Sequence, residues 1–111
     1  MLAFITHPDC ALHDMGGHHP ESPLRLEAIR DRLVEDQLQH LLETCEAPAA
    51  TREQLCRVHD GKYVDEIFRR APVDGILRLD PDTAMNRHSL GAALRAAGAV
   101  IEGVDRVMAG R

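Results

Sequence analysis

The stretch Gly16-Gly17-His18-His19-Pro20-Glu21-Ser22-Pro23-Leu24-Arg25 constrains this chain more than any other. Glycine opens backbone angles closed to other residues, whereas Pro20 and Pro23 fix their own φ and push His19 and Ser22 toward extended conformations. Ser22 is then suited to cap a helix, with Pro23 at its first position. A stiff loop of this kind confines imidazole, carboxylate and guanidinium groups and delivers the chain straight into a helix. Gly/Pro/His-rich connections are commonly no more than connections. The loop's chemistry therefore has to be weighed with the rest of the chain.

At 111 residues, with 44% hydrophobic and 28% charged, the chain is one globular domain at most. Aromatic residues make up 3% and Trp is absent, so the core is expected from Leu, Ile, Val and Ala, packing helices against a sheet. A net charge of −5 argues against nucleic acid as a partner, because phosphate binding needs an excess of Lys and Arg on one face. Cys10, Cys45 and Cys56 are irregularly spaced, which indicates neither a disulfide framework nor a structural zinc knot, and a reducing cytoplasm is the expected compartment. His7-Pro8-Asp9 follows the first apolar residues too soon for a signal peptide, and no apolar run approaches the ~20 residues of a membrane helix.

Leu2-Ala3-Phe4-Ile5 reads as a strand buried on both faces of a parallel sheet with helices outside. His7, His13, His18 and His19 fall close together, but none of their spacings aims several ligands at one point, so no metal site is expected among them. A helix over about Pro23 to Asp36 carries an apolar stripe of Leu26, Ile29 and Leu33. Thr44 to Ala47 reads as a short strand stopped by Pro48. Thr51-Arg52-Glu53-Gln54 fits a capping box, opening a short helix whose apolar positions are Leu55 and Val58. Asp60 can cap the next helix, with Tyr63, Val64, Ile67 and Phe68 on one side and Arg69-Arg70 at the end before Pro72. Asp74-Gly75 is a turn signal, and Leu77 to Thr83 reads as an acidic, Pro-broken loop. The longest helix comes last, with Leu90, Ala93, Leu94, Ala97, Ile101, Val104 and Met108 at helical spacing, small residues allowing close packing, and Gly110 at its end.

His19-Pro20-Glu21-Ser22-Pro23-Leu24-Arg25, followed by Leu26, Ile29 and Leu33, resembles the opening loop and first helix of the histone deacetylase superfamily, whose pattern there is His-Pro-x-x-Pro-x-Arg. Val58-His59-Asp60-x-x-Tyr63-Val64 and Asp80-Pro81-Asp82-Thr83, leading into Ser89 to Val100, resemble later stretches of the same family in the same order. Together they cover nearly the whole chain, and they are similar to the bacterial class II, acetoin-utilisation and acetylpolyamine amidohydrolase members. The resemblance implies an α/β fold, the N-terminal part of an arginase/deacetylase-like three-layer α/β/α domain with a parallel sheet. The chain, residues 1–111, then reads as less than half of a typical member and as cut short before the strand bearing the catalytic His-His pair.

Members of the superfamily hydrolyse acylated amines with one Zn²⁺ held by two carboxylates and an imidazole, aided by a His pair and a Tyr. By resemblance those groups, the Zn²⁺ ligands included, are expected beyond Arg111. Gly17-His18-His19 has the sequence of the catalytic pair but the wrong flanks, so His18 and His19 are assigned to the entrance loop together with Glu21. Arg25 matches the arginine of an internal channel through which the acid product leaves, and Asp82 or Thr83 matches a rim position that holds the substrate backbone. From the residues alone, Arg25 could equally pair with Glu21 or Glu27, and Asp82 could merely cap a turn. The expected function is thus the entrance loops and scaffold helices of a deacetylase acting on acetyl-lysine or acetylpolyamine, inactive as residues 1–111 alone. The alternative is a non-enzymatic α/β binding module. Its expected partners are the remainder of its own catalytic domain and an acetylated amine, with self-association through exposed apolar helix faces and no role for nucleic acid or membrane.

Overall fold

The computed structural model describes residues 2–17 and 19–110, and His18 lies outside them. Strand β1 (Leu2–Thr6) and strand β2 (Leu42–Glu46) pair in parallel, Leu2 opposite Leu42 and Thr6 opposite Glu46. The Ala47 N–H extends the ladder by donating to the Thr6 carbonyl at 2.7 Å. Helix α1 (Leu24–Glu35) lies between them in sequence, giving the strand-helix-strand unit that a parallel pair requires. Helix α2 (Arg52–Leu55) and helix α3 (Gly61–Arg70) follow, then the antiparallel strands β3 (Leu77–Asp80) and β4 (Thr83–Met85), and finally the 20-residue helix α4 (Ser89–Met108).

Local chemistry accounts for most of these boundaries. Thr51 Oγ1 accepts from the Gln54 N–H at 3.1 Å while Gln54 Oε1 accepts from the Thr51 N–H at 2.9 Å, the reciprocal capping box that opens α2. Asp60 Oδ1 accepts from the Lys62 N–H at 2.8 Å and starts α3, and the helix is over before Pro72. Gly110 takes φ +78°, the left-handed angle that closes α4.

Four readings of the sequence are corrected here. Residues 77–83 are a hairpin, because Leu77 and Leu79 alternate inward on β3 and Pro81-Asp82 need only fill its turn. Strand β1 is not buried on both faces: Leu2 is 70% exposed and Phe4 to Thr6 are half-buried, since α4 rests on the strand while α1 leaves an open cleft beside it. Val58 lies at the surface, as do much of Tyr63 and Phe68, leaving Val64 as the buried residue of α3. The buried face of α4 is Ser89, Ala92 and Gly98, while Leu94, Ala97 and Ile101 are half-buried and Ala93, Val104 and Met108 exposed. That face is set by backbone: Ala47 to Ala50 crosses α4, with the Ala50 N–H donating to the Leu94 carbonyl and Arg95 Nη1 to the Ala47 carbonyl, at 2.9 and 3.0 Å.

The interior is thin. Its buried apolar residues are Met15, Cys45, Ala47, Ala50, Val64, Ala84, Met85 and Ala92: alanine and one valine as expected, but methionine and cysteine where leucine and isoleucine were expected. The radius of gyration is 15.6 Å against about 13 Å for a compact domain of this length. The accessible surface is 7964 Å² against about 6,100 Å² for a compact monomer of this mass. Helix α4 rests on β1 and on the 3-10 turn Pro8–Leu12. Helix α1 stands off from the sheet across an open cleft of about 1090 Å³, lined by Phe4, Ile5, Leu26 and Ile29 among others. Leu26 and Ile29 of its stripe line that cleft together with Glu27, Arg30 and Asp31, no residue of α1 is buried, and Ile29 remains 45% exposed, so the stripe is not packed as the sequence predicts. No helix is long and apolar enough to cross a membrane, among the described residues.

Candidate functional site

The opening loop is pinned before it reaches α1. Met15 is buried, and its sulfur accepts from the Ala84 N–H of β4 at 3.3 Å. Asp14 Oδ1 accepts from the Gly16 N–H at 2.9 Å, and Gly16 takes φ +113°, an angle a side chain would disfavour. Ser22 Oγ accepts from the Leu24 N–H at 3.2 Å, and its carbonyl accepts from the Arg25 N–H, while Pro23 already has helical angles. The hydroxyl thus serves the helix start, but the cap position falls on Pro23 and the first helical residue is Leu24, one place later than the sequence predicts.

His19 ties this loop to the β3–β4 turn. Its Nδ1 accepts from the Glu21 N–H at 3.0 Å, so the neutral ring carries its proton on Nε2 and donates it to the Asp82 carbonyl, also at 3.0 Å. The Asp82 carboxylate is 3.5 Å from the same nitrogen. Asp80 Oδ1 accepts from the Asp82 N–H at 2.8 Å, which shapes the turn, and Thr83 opens β4 opposite Asp80 with an exposed side chain. The imidazole side chain is 17% exposed and that of Asp82 94%, so the carboxylate is presented to solvent while its backbone is held.

Arg25 occupies a second place. It lines a pocket of about 290 Å³ with Cys10, His13 and Glu21, walled by Ala92, Ala93 and Ala96 of α4. None of the ion pairs among the described residues includes Arg25, so its pairing with Glu21 or Glu27 is not adopted. Glu21 links the two places: its N–H is bonded to His19, and its carboxylate faces the pocket, 3.9 Å from His13 Nε2. The structure thus brings His19, Asp82 and Thr83 to one rim and Glu21 and Arg25 to the pocket beside it. His13 and Cys10 are pocket residues that no local pattern in the sequence indicates.

His13 also hydrogen-bonds Ser89, which gives a Ser-His-Glu line resembling an activated nucleophile. Ser89 cannot serve in that role. It is 5% exposed, its Oγ accepts from the Asn86 N–H at 2.8 Å, and it lies 3.1 Å from Asn86 Oδ1 as a donor. With Asn86 Nδ2 donating to the Leu12 carbonyl at 2.8 Å, this network fastens the start of α4 to the segment before the opening loop.

His7 is engaged separately from this site. His7 Nδ1 accepts from the Asp9 N–H at 3.0 Å, and its Nε2 lies 3.3 Å from Glu46. Among the described residues no three His, Cys, Asp or Glu side chains converge as metal ligands, so they do not fit a zinc ion. The pronounced electrostatic pairs lie elsewhere: Arg52 donates two hydrogen bonds to Asp65, holding that carboxyl below its usual range, and Arg69 does the same for Glu66.

Comparison with known proteins places the chain in a family and a fold. The histone deacetylase domain family matches residues 19–111. The chain is 30% identical to an uncharacterized protein of Synechocystis sp., over 97% of this chain and 36% of that one. It superposes on the crystal structure of the HDA15 HD domain with a TM-score of 0.88 and 25% identity, over 99% of this chain and 32% of that one. The chain therefore spans about a third of the length of these relatives. Matched over most of its length by that family, the chain belongs to the histone deacetylase domain family and carries part of its mixed α/β arginase/deacetylase fold.

Proposed function

We propose that these residues supply the entrance loops and scaffold helices of a cytoplasmic, zinc-dependent deacetylase that hydrolyses acetylated amines of the acetyl-lysine or acetylpolyamine type. One observation carries the reading: Glu21 joins a rim, where His19 holds Asp82 beside Thr83, to a pocket lined by Arg25, which is in none of the ion pairs among the described residues. A rim carboxylate can accept N–H groups of an acetylated chain. A guanidinium in the adjoining pocket can grip the released acid with paired hydrogen bonds. Zinc would polarise the amide carbonyl and activate water, and in this proposal its ligands come from residues outside 1–111, the chain's principal partner. The open surface of α1 and α4 supports such a partner and also supports self-association.

Acetate release from acetyl-lysine peptides and acetylpolyamines tests the proposal, measured on the complete protein that contains these residues and on residues 1–111 alone. The complete protein is expected to release acetate, and to stop when its metal is chelated. The 111-residue chain is expected to release none. A complete protein inert on both substrate types would overturn the reading.

A further inference from the structure

We propose that His19 is a positioning residue, whose imidazole locks the β3–β4 turn to the opening loop and so fixes where Asp82 and Thr83 stand at the rim. The contact joins segments 63 residues apart in sequence. Each ring nitrogen is committed, Nδ1 to the Glu21 N–H and Nε2 to the Asp82 carbonyl. Its partner at the turn is chiefly a backbone carbonyl, which leaves the Asp82 carboxylate in solvent and able to meet a ligand.

The turn has little else to hold it. Strands β3 and β4 form a sheet of two, the pairing shifts register between Arg78 and Asp80, and the Asp82 side chain packs against almost nothing. An isolated hairpin of that size is marginal in water. The second fastening to the opening loop, Met15 with Ala84, lies on β4 beyond the turn. Among the described residues, His19 is therefore the contact that sets the position of the turn itself. It acts through Asp82 and not by touching the reacting group.

This inference rests on the deacetylase reading for its kinetic consequence but not for its structural one, and the experiment separates them. In the complete protein, His19→Ala should raise KM for an acetyl-lysine peptide about tenfold, the loss of one fully made hydrogen bond, with kcat within about twofold. His19→Gln, whose amide nitrogen can reach the place of Nε2, should recover at least half of the loss on a logarithmic scale. ¹⁵N NMR of the unaltered protein should show the Nε2–H tautomer of His19, and amide exchange at Asp82 and Thr83 should accelerate in both variants relative to parent, less in His19→Gln. An Nδ1–H tautomer, or exchange and KM unmoved in His19→Ala, overturns the lock. If His19→Ala fails to fold, the tautomer in the parent and the His19→Gln data decide. A parent without deacetylase activity would overturn the function proposed above while the tautomer and exchange results still judge the lock.

Discussion

A Cβ placed on Gly98 would lie 1.8 Å from the Pro48 carbonyl oxygen and 2.7 Å from its carbon, a backbone-to-backbone approach in which no flexible side chain can give way. In an unobstructed helix interior, replacing Gly with Ala stabilises by about 1 kcal/mol. Here the clash reverses the sign. Gly98→Ala must push α4 away from the Ala47–Ala50 crossing and disturb its hydrogen bonds to Leu94 and Arg95, so it is expected to destabilise by about 2 kcal/mol or more. Thermal unfolding beside Gly103→Ala checks this. Among the described residues, the added Cβ of Gly103 would meet Ile5 Cδ1 at 3.6 Å, an ordinary contact, and that variant should be neutral or stabilising.

Ser89 has little exposed surface and closes the junction between α4 and the segment of Leu12 and His13. Ser89→Ala leaves the Asn86 N–H without its acceptor and His13 Nδ1 without its partner. A buried polar group left unpaired costs about 1–3 kcal/mol. Chemical denaturation should show a loss in that range, and Ser89→Thr should recover less than half because the added methyl has no room in a buried site. A loss below about 0.5 kcal/mol for Ser89→Ala would mean that the network contributes nothing to the fold.

Signals within a few residues of one another were legible in the sequence. The Thr51–Gln54 box, the Asp60 cap, the stop before Pro72 and the Gly110 closure all depend on neighbouring backbone groups, and all appear where expected. The hairpin over 77–85 was not legible, because Pro81 and the acidic residues mask the two-residue period of Leu77 and Leu79. The buried face of α4 was misread for a different reason. Periodicity shows which residues share a stripe, but which stripe is covered depended on where Pro48 crosses the helix. For the site, family resemblance marked His19, Glu21, Arg25, Asp82 and Thr83, yet the bond from His19 to Asp82 and the place of His13 beside Glu21 depend on tertiary contacts across the chain.

The Arg52–Asp65 pair gives a pH signature of definite sign. The hydrogen bond from Arg52 is the main cause that holds the Asp65 carboxyl below its ordinary 3.8. A carboxyl depressed in the folded state stabilises above its unfolded value, and that contribution fades as pH falls through the folded one. The melting-temperature difference between parent and Asp65→Asn should thus be level from about pH 7 to 5 and shrink below 3.8. The side chains are 56% and 61% exposed, so the difference should be small and should narrow further in 1 M salt. A difference that grows on acidification would contradict the pairing.

Arg25 sits in the first turn of α1, where the helix dipole disfavours a cation by a few tenths of a kcal/mol to about 1 kcal/mol. None of the ion pairs among the described residues offsets that cost, and the side chain lines the pocket with His13 and Glu21. A cation kept at an unfavourable place beside a cavity fits a role in binding an anion, and the acid product of the proposed deacetylation would be such an anion. On the function proposed above, Arg25→Ala in the complete protein is expected to lower turnover about 10- to 100-fold, the worth of a charge-assisted hydrogen-bonded contact, while the content of the proposed metal is unchanged and the melting temperature is unchanged or higher. Arg25→Lys should recover only part of the loss, because an ammonium cannot form the paired fork. Steady-state kinetics with acetyl-lysine and acetylpolyamine substrates, together with inhibition by added acetate, provide the check. If Arg25→Ala turns over at the parent rate with unchanged acetate inhibition, the pocket does not handle the product and Arg25 has no part in the reaction.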